Sequence, residues 1–221
     1  IDLSQFNQKE TELQRLSAKI SREQFDLKSG PLFRCILYKM SDGEQVLFII
    51  AHALIMDNLS TGILLQELIT LYEGKRNQQL VVLPDLNIQV ADFAHWEKTW
   101  VSNNEDLLSY WMDKLQGPLE PVHLPGRADV ATPSNRGSIQ TISLSDTLTR
   151  KIKAATQTHS ITNFMLTLSA FKLLLHKYSG DKSICLGIGI SSRYKKEIEP
   201  LIGCFMNILL LQTDVSGDVA F

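Results

Sequence analysis

The sequence predicts an α/β fold, an α+β two-layer sandwich built as two lobes. Strand-like and helix-like segments alternate along the whole chain, the pattern of layered mixed folds. A stretch rich in Pro and Gly, 118–137, interrupts that alternation near the middle. The chain has 221 residues and is 44% hydrophobic, enough to bury a core. These observations divide it into an N-terminal lobe over 1–120, a linker over 121–137 and the start of a C-terminal lobe over 138–221.

The elements follow in order. Leu13, Leu16 and Ile20 sit at helical spacing within Glu10 to Ile20. Asp26 to Pro31 breaks the chain. Leu32 to Met40 and Glu44 to Ala51 read as strands joined by Ser41-Asp42-Gly43, a hairpin signal. The unbroken apolar run Val46 to Ala51 has the length of a strand buried on both faces. A turn then carries His52 and Asp57. Leu64, Leu68, Leu71 and Tyr72 predict an amphipathic helix, with Asn58 or Ser60 as N-cap and Gly74 just past its end. Asn87 to Trp100 and a segment from Asn103 to Leu115 predict two more helices, whose Trp96, Trp100 and Trp111 are read as core. Ser138 to Ser145 is expected to be a strand. Ser145 caps a helix over Asp146 to Thr158, and Thr162 caps one from Asn163 to Tyr178, with Phe164, Leu168, Phe171 and Leu175 on one face and Gly180 closing it. Ser183 to Ile190 and Leu209 to Thr213 complete the strands.

A net charge of -2 and a pI near 6.2 give no reason to expect nucleic acid or an anionic membrane as partner. Cys35, Cys185 and Cys204 lie in apolar runs without CxxC spacing, as reduced core thiols of a cytoplasmic protein would. No signal peptide or 18-residue apolar span is visible. The chain starts at Ile1 rather than Met and stops at Phe221 after Ser216-Gly217-Asp218, so both ends are expected to continue in a longer polypeptide.

Chemistry-bearing residues are sparse. Gly187-Ile188-Gly189 sits inside an apolar run without a third glycine, so it is no phosphate loop. The five histidines are scattered, with no metal-ligand spacing, and His123 reads as a surface residue. No nucleophile elbow is present. What remains is His52 with Asp57, at the end of a strand and the start of a helix, with Arg193 at the end of another strand as a candidate companion. Each also has a plain reading: His52 as a hydrogen-bonded core histidine, Asp57 as a helix cap or ion-pair partner. A His and an Asp at this spacing specify no reaction by themselves.

The stretch His52 to Ser60 resembles the HHxxxDGxS motif of the condensation domains of nonribosomal peptide synthetases. Gly30-Pro31-Leu32-Phe33-Arg34 is similar to the family's GPLxR, Val90 to Trp96 to its YxDFAxW, and Tyr110 to Leu115 to its YWxxxL. Arg136-Gly137 matches its RG, and Ile202 to Asn207 its IGxFVN. The matches occur in the family's order over nearly the whole chain. The resemblance implies a chloramphenicol acetyltransferase-like fold, two lobes in a V with the motif at their junction. It implies that carrier proteins present acyl and aminoacyl thioesters on phosphopantetheine arms, that an amide forms, and that the domain holds no cofactor of its own. The remaining partners it implies are neighbouring synthetase domains.

Three departures qualify that implication. The motif's first His falls on His52, but its second, the residue beside the attacking amine, falls on Ala53, which can neither accept nor donate a proton. Its Gly falls on Asn58, a residue that tolerates positive φ better than most. The family's opening RHxxLR region and late motifs have no counterpart here, so the resemblance spans about half of such a domain, incomplete at both ends. The motif's Asp is structural in the family, and Asp57 is expected to pair with Arg193 across the halves. The reading that follows is a condensation-like domain that is catalytically impaired and serves a structural, docking or recruiting role. The alternative is an active acyltransferase that forms amide or ester bonds with another group at the site, or an engineered His-to-Ala variant of one.

Overall fold

The computed structural model describes residues 1–115, 121–125 and 137–217. Most of the expected linker, and Arg136 of the RG match, lie outside the described residues. The chain forms two compact units, one of Ile1–Asn104 with Ile190–Asn207, the other of Glu105–Gly189 with Ile208–Phe221. The division thus differs from contiguous halves: residues 190–207 belong with the first unit, because their side chains fill its core.

In the first unit, β1 (Phe33–Lys39) and β2 (Gln45–Ala51) form an antiparallel hairpin with Ile36 opposite Phe48 and Tyr38 opposite Val46. Strand periodicity puts these four on one face. Helix α1 (Lys9–Ser21) covers that face with Leu13, Leu16 and Ile20 around buried Leu3, Tyr38 and Met40. The other face carries Cys35, Leu37, Leu47 and Ile49. Cys35 is exposed there, so it is not the core thiol its apolar neighbours suggested. Nor is β2 buried on both faces, since among the described residues β1 is its one strand neighbour and no residue of it is fully buried.

Helix α2 (Asn58–Arg76) runs two residues past Gly74. That glycine is buried, and a Cβ on it would lie 2.2 Å from Val81 Cγ2. It makes room for the returning chain instead of ending the helix. Helix α3 (Val90–Ser102) contributes Phe93 to a second core with Ile198, Leu201 and Phe205, against which Ile88, Val90 and Trp96 pack. The tryptophans are less buried than expected. Trp96 is half-buried, while Trp100 stacks on it at 6.1 Å between centroids and stays 43% exposed. Spacing places an aromatic ring on a helix face but does not say whether anything covers that face.

The second unit holds α4 (Glu105–Lys114), α5 (Asp146–Thr158) and α6 (Asn163–Ser179). Ser145 and Thr162 cap α5 and α6 by accepting from the N–H groups of Leu148 and Met165, and Gly180 ends α6 at φ 78°. The inward face of α6 is rotated from the one expected. Lys172 and Leu175 are its buried residues, whereas Phe164 and Phe171 are about half exposed. Lys172, only 5% exposed, donates from Nζ to Leu211 O and Thr213 Oγ1, which offset the cost of burying an ammonium. That burial also pushes its pKa below the ordinary lysine value. Leu175 packs with Ile184 and Val215.

Strands β3 (Ser183–Ser191) and β4 (Met206–Asp214) pair with each other, and both continue from one unit into the other. The strand expected over 138–145 is not formed. Its alternation is imperfect, no described strand pairs with it, and Ile139 remains 92% exposed.

Candidate functional site

The site is built at the end of β2. The His52 N–H donates to Leu32 O at 2.9 Å, which extends the hairpin one residue beyond Ala51. A turn follows, closed by the Ile55 N–H on His52 O at 3.0 Å. The His52 ring folds onto this turn, and its Nδ1 accepts the Leu54 N–H at 3.1 Å. This bond assigns the proton of the neutral ring to Nε2. Phe25 meets the ring edge-on, with centroids 6.0 Å apart. Arg34, the Arg of the GPLxR match, lies over Phe25 at 4.2 Å and donates to the carbonyls of Glu23 and Gln24. His52 is therefore held by its own turn and by one aromatic neighbour.

Ala53 is exposed and lines an open cavity of about 540 Å³ with Leu47, Ile49, Met56, Asn58 and Leu64. Its methyl group leaves that wall without a proton donor or acceptor from this position. Asn58 is the first residue of α2, and its φ is not positive, so the tolerance of Asn for that region is not used here.

The N-cap of α2 is Asp57, not Asn58 or Ser60: its carboxylate accepts the Ser60 N–H at 2.8 Å. The same carboxylate accepts the Ser60 hydroxyl at 2.7 Å, the Phe205 N–H at 3.1 Å and Arg193 Nη2 at 3.1 Å. Asp57 and Arg193 thus meet, with side chains 9% and 4% exposed, and both belong to the first unit. Arg193 reaches further. Nη1 donates to the carbonyls of Ile198 and Leu201 at 2.8 Å each, Nη2 donates to Ser60 Oγ at 2.8 Å, and the guanidinium lies 4.1 Å from the centroid of Phe205. Burial alone would push the Asp57 carboxyl up. The Ser60 N–H and hydroxyl, the Phe205 N–H and Arg193 outweigh it and hold the group down at about 2.

Ser60 and Gly203 complete the network. Ser60 is fully buried, and its hydroxyl accepts the Gly203 N–H at 2.9 Å, while the Asp57 N–H donates to Gly203 O at 3.1 Å. A Cβ on Gly203 would stand 2.6 Å from Val90 Cγ2, so the loop needs glycine to approach α3. Both residues lay inside matched motifs, Ser60 in HHxxxDGxS and Gly203 in IGxFVN, but nothing in their spacing joins them. The arrangement fixes backbone; it offers no free base. Among the described residues no group of three or more His, Cys, Asp or Glu could hold a metal ion, and no helix is long and apolar enough to cross a membrane.

The family model of the condensation domain matches residues 1–221. A linear gramicidin synthase of Brevibacillus parabrevis is 36% identical over 97% of this chain, which spans 4% of that protein. Phosphinothricin tripeptide synthetase PhsC of Streptomyces viridochromogenes is 31% identical over 94% of the chain, which spans 19% of it. Among solved structures, the X-domain in complex with OxyB from teicoplanin biosynthesis superposes with a TM-score of 0.82 at 25% identity, over 95% of this chain and 48% of that one. The first condensation domain of the calcium-dependent antibiotic synthetase gives 0.78 at 20% identity, over 97% and 48%. The chain therefore spans about half the length of these structural neighbours and shares their chloramphenicol acetyltransferase-like fold. With its HHxxxDGxS-like turn pinned to its IGxFVN-like loop through Asp57 and Arg193, the chain belongs to the condensation-domain family of the nonribosomal peptide synthetases.

Proposed function

We propose that this condensation domain is impaired in amide formation at its motif and serves a structural, docking or recruiting role within a synthetase. Ala53 is the observation that carries the reading. The position beside the cavity has a methyl group, and the neighbouring His52 is not among the residues that line that cavity, its Nδ1 being taken up by the Leu54 N–H. Loss of a general base or of a positioning group costs on the order of 10²–10⁴ in rate. Asp57, Ser60 and Arg193, by contrast, make hydrogen bonds that hold the fold, which a scaffold would keep, although Arg193 Nε is buried without a partner among the described residues. The teicoplanin neighbour was solved with a second protein, OxyB, seated on it, which supports recruitment as a use for this fold. The partners of the reading are carrier proteins with their phosphopantetheine-borne thioesters and neighbouring synthetase domains.

The test loads donor and acceptor carrier proteins, adds the chain or its Ala53→His variant, and follows the condensed product by mass spectrometry. The reading expects no product from the unmodified chain, and product from the unmodified chain refutes it. A second reading rests on Asn58, whose amide shares the cavity with Ala53 and could orient a thioester carbonyl in an active acyltransferase. That reading requires turnover without His and its loss in Asn58→Ala.

A further inference from the structure

A second cavity, of about 360 Å³, lies in the first unit against the Phe93 core. Its walls are Ile88, Phe93, Trp96 and Ile198, and its polar lining is Asp92, Lys195 and Glu197. The Lys195 ammonium sits 4.1 Å from the centroid of the Trp96 ring. Asp92 is already used, since its carboxylate accepts the Gln89 N–H at 2.7 Å. Glu197 is exposed and has no ion pair among the described residues. Trp100 and Tyr194 extend the aromatic surface, both substantially exposed and each about 6.1 Å from Trp96 between ring centroids.

The pocket thus holds a cation on an aromatic face, with two carboxylates against one ammonium and one of the carboxylates unpaired. Lysine is a poor permanent occupant of such a place. Its ammonium is a compact, strongly hydrated point charge, whereas a guanidinium is planar, less hydrated, stacks on indole and forks onto a carboxylate. We propose that this groove docks a partner polypeptide presenting an arginine with apolar flanks. The guanidinium displaces Lys195 from Trp96 and pairs with Glu197, while the flanking side chains rest on Ile88, Phe93 and Ile198. Lys195 acts as an internal competitor for the Trp96 face.

The probe is acetyl-Leu-Arg-Leu-amide titrated into the chain, with the three tryptophan indole N–H signals followed by NMR. The Trp96 signal should shift saturably while that of Trp111, in α4 of the other unit, stays in place and reports an intact fold. The neutral citrulline analogue should bind at least about fivefold more weakly, the loss expected from a charge-assisted pair and a ring contact. Lys195→Ala should bind the arginine peptide about two- to fivefold more tightly, because its competitor is gone, and Glu197→Gln about fivefold more weakly. Both side chains are exposed, so neither change threatens folding. Equal binding of the citrulline peptide, weaker binding by Lys195→Ala, or no saturable shift at Trp96 would each overturn the proposal.

Discussion

Replacing Asp57 with Ala probes the whole network in one step. At neutral pH the substitution strands a guanidinium whose side chain is 4% exposed. Its magnitude can be assembled from the contacts. A carboxyl held at about 2 against an ordinary 3.8 stabilises the folded state by about 2 kcal/mol through its charge. The Ser60 N–H cap bond and the Phe205 N–H bond are among the contacts that produce this depression, so their loss is already inside that figure. Stranding the buried guanidinium raises the expected loss into the range of roughly 3–5 kcal/mol for breaking a buried pair. Asp57→Asn keeps an oxygen for the cap and removes the charge, so it should lose about 2 kcal/mol. Urea unfolding followed by tryptophan fluorescence measures both. The folded-state pKa is depressed, so the charge contribution is complete above about pH 4 and disappears as pH falls toward 2. The difference between the unmodified chain and Asp57→Asn must shrink over that window. A cost below about 1 kcal/mol for Asp57→Ala, or a difference that does not change between pH 4 and 2, would refute the reasoning.

Other perturbations separate structure from chemistry. Gly203→Ala drives a methyl group into Val90 and should cost about 1–3 kcal/mol in the same unfolding assay, with Val90→Ala recovering part of it. Ala53→His adds a side chain at an exposed position beside an open cavity, so its urea midpoint should stay within about 0.5 kcal/mol of the parent even if product formation changes. Lys172→Met removes a buried ammonium. The folded-state pKa of Lys172 is depressed by burial, so the unmodified chain gains stability from this group as pH rises toward its ordinary 10.5. The variant should lack that gain, as differential unfolding at pH 7 and pH 10 would show.

Local chemistry made much of the fold legible. The hairpin at Asp42-Gly43, the caps at Ser145 and Thr162 and the stop at Gly180 all depend on a few adjacent residues, and the structure forms each. What depends on distant chain was less legible. Helix cap and ion-pair partner are the plain readings of Asp57 and the structure forms both, but no local rule ranks it above Asn58 or Ser60 as N-cap, and its contacts with Phe205 and Arg193 come from distant chain. The inward turn of Lys172 is fixed by two acceptors on β4, invisible from the helix's own periodicity. The strand over 138–145 fails because a strand needs a partner, and alternation describes only one member of such a pair. In the site, Ala53 was readable as a departure from the HHxxxDGxS pattern, but the use of His52 Nδ1 depends on the Leu54 N–H, a turn geometry that spacing does not report.

The network at Gly203 also sets an order of events for a chain growing from its N-terminus. Residues 1–104 can form the hairpin, α1, α2 and α3 as they emerge, yet Asp57, Ser60 and Phe93 complete their contacts only with residues among 190–207. Residues 105–189 must be synthesised in between. During that interval the α2 cap waits without Arg193, and the Phe93 core lies open to solvent and to chaperones. Synthesis stalled before residue 190 would therefore release an unfinished first unit, however well its own helices had formed.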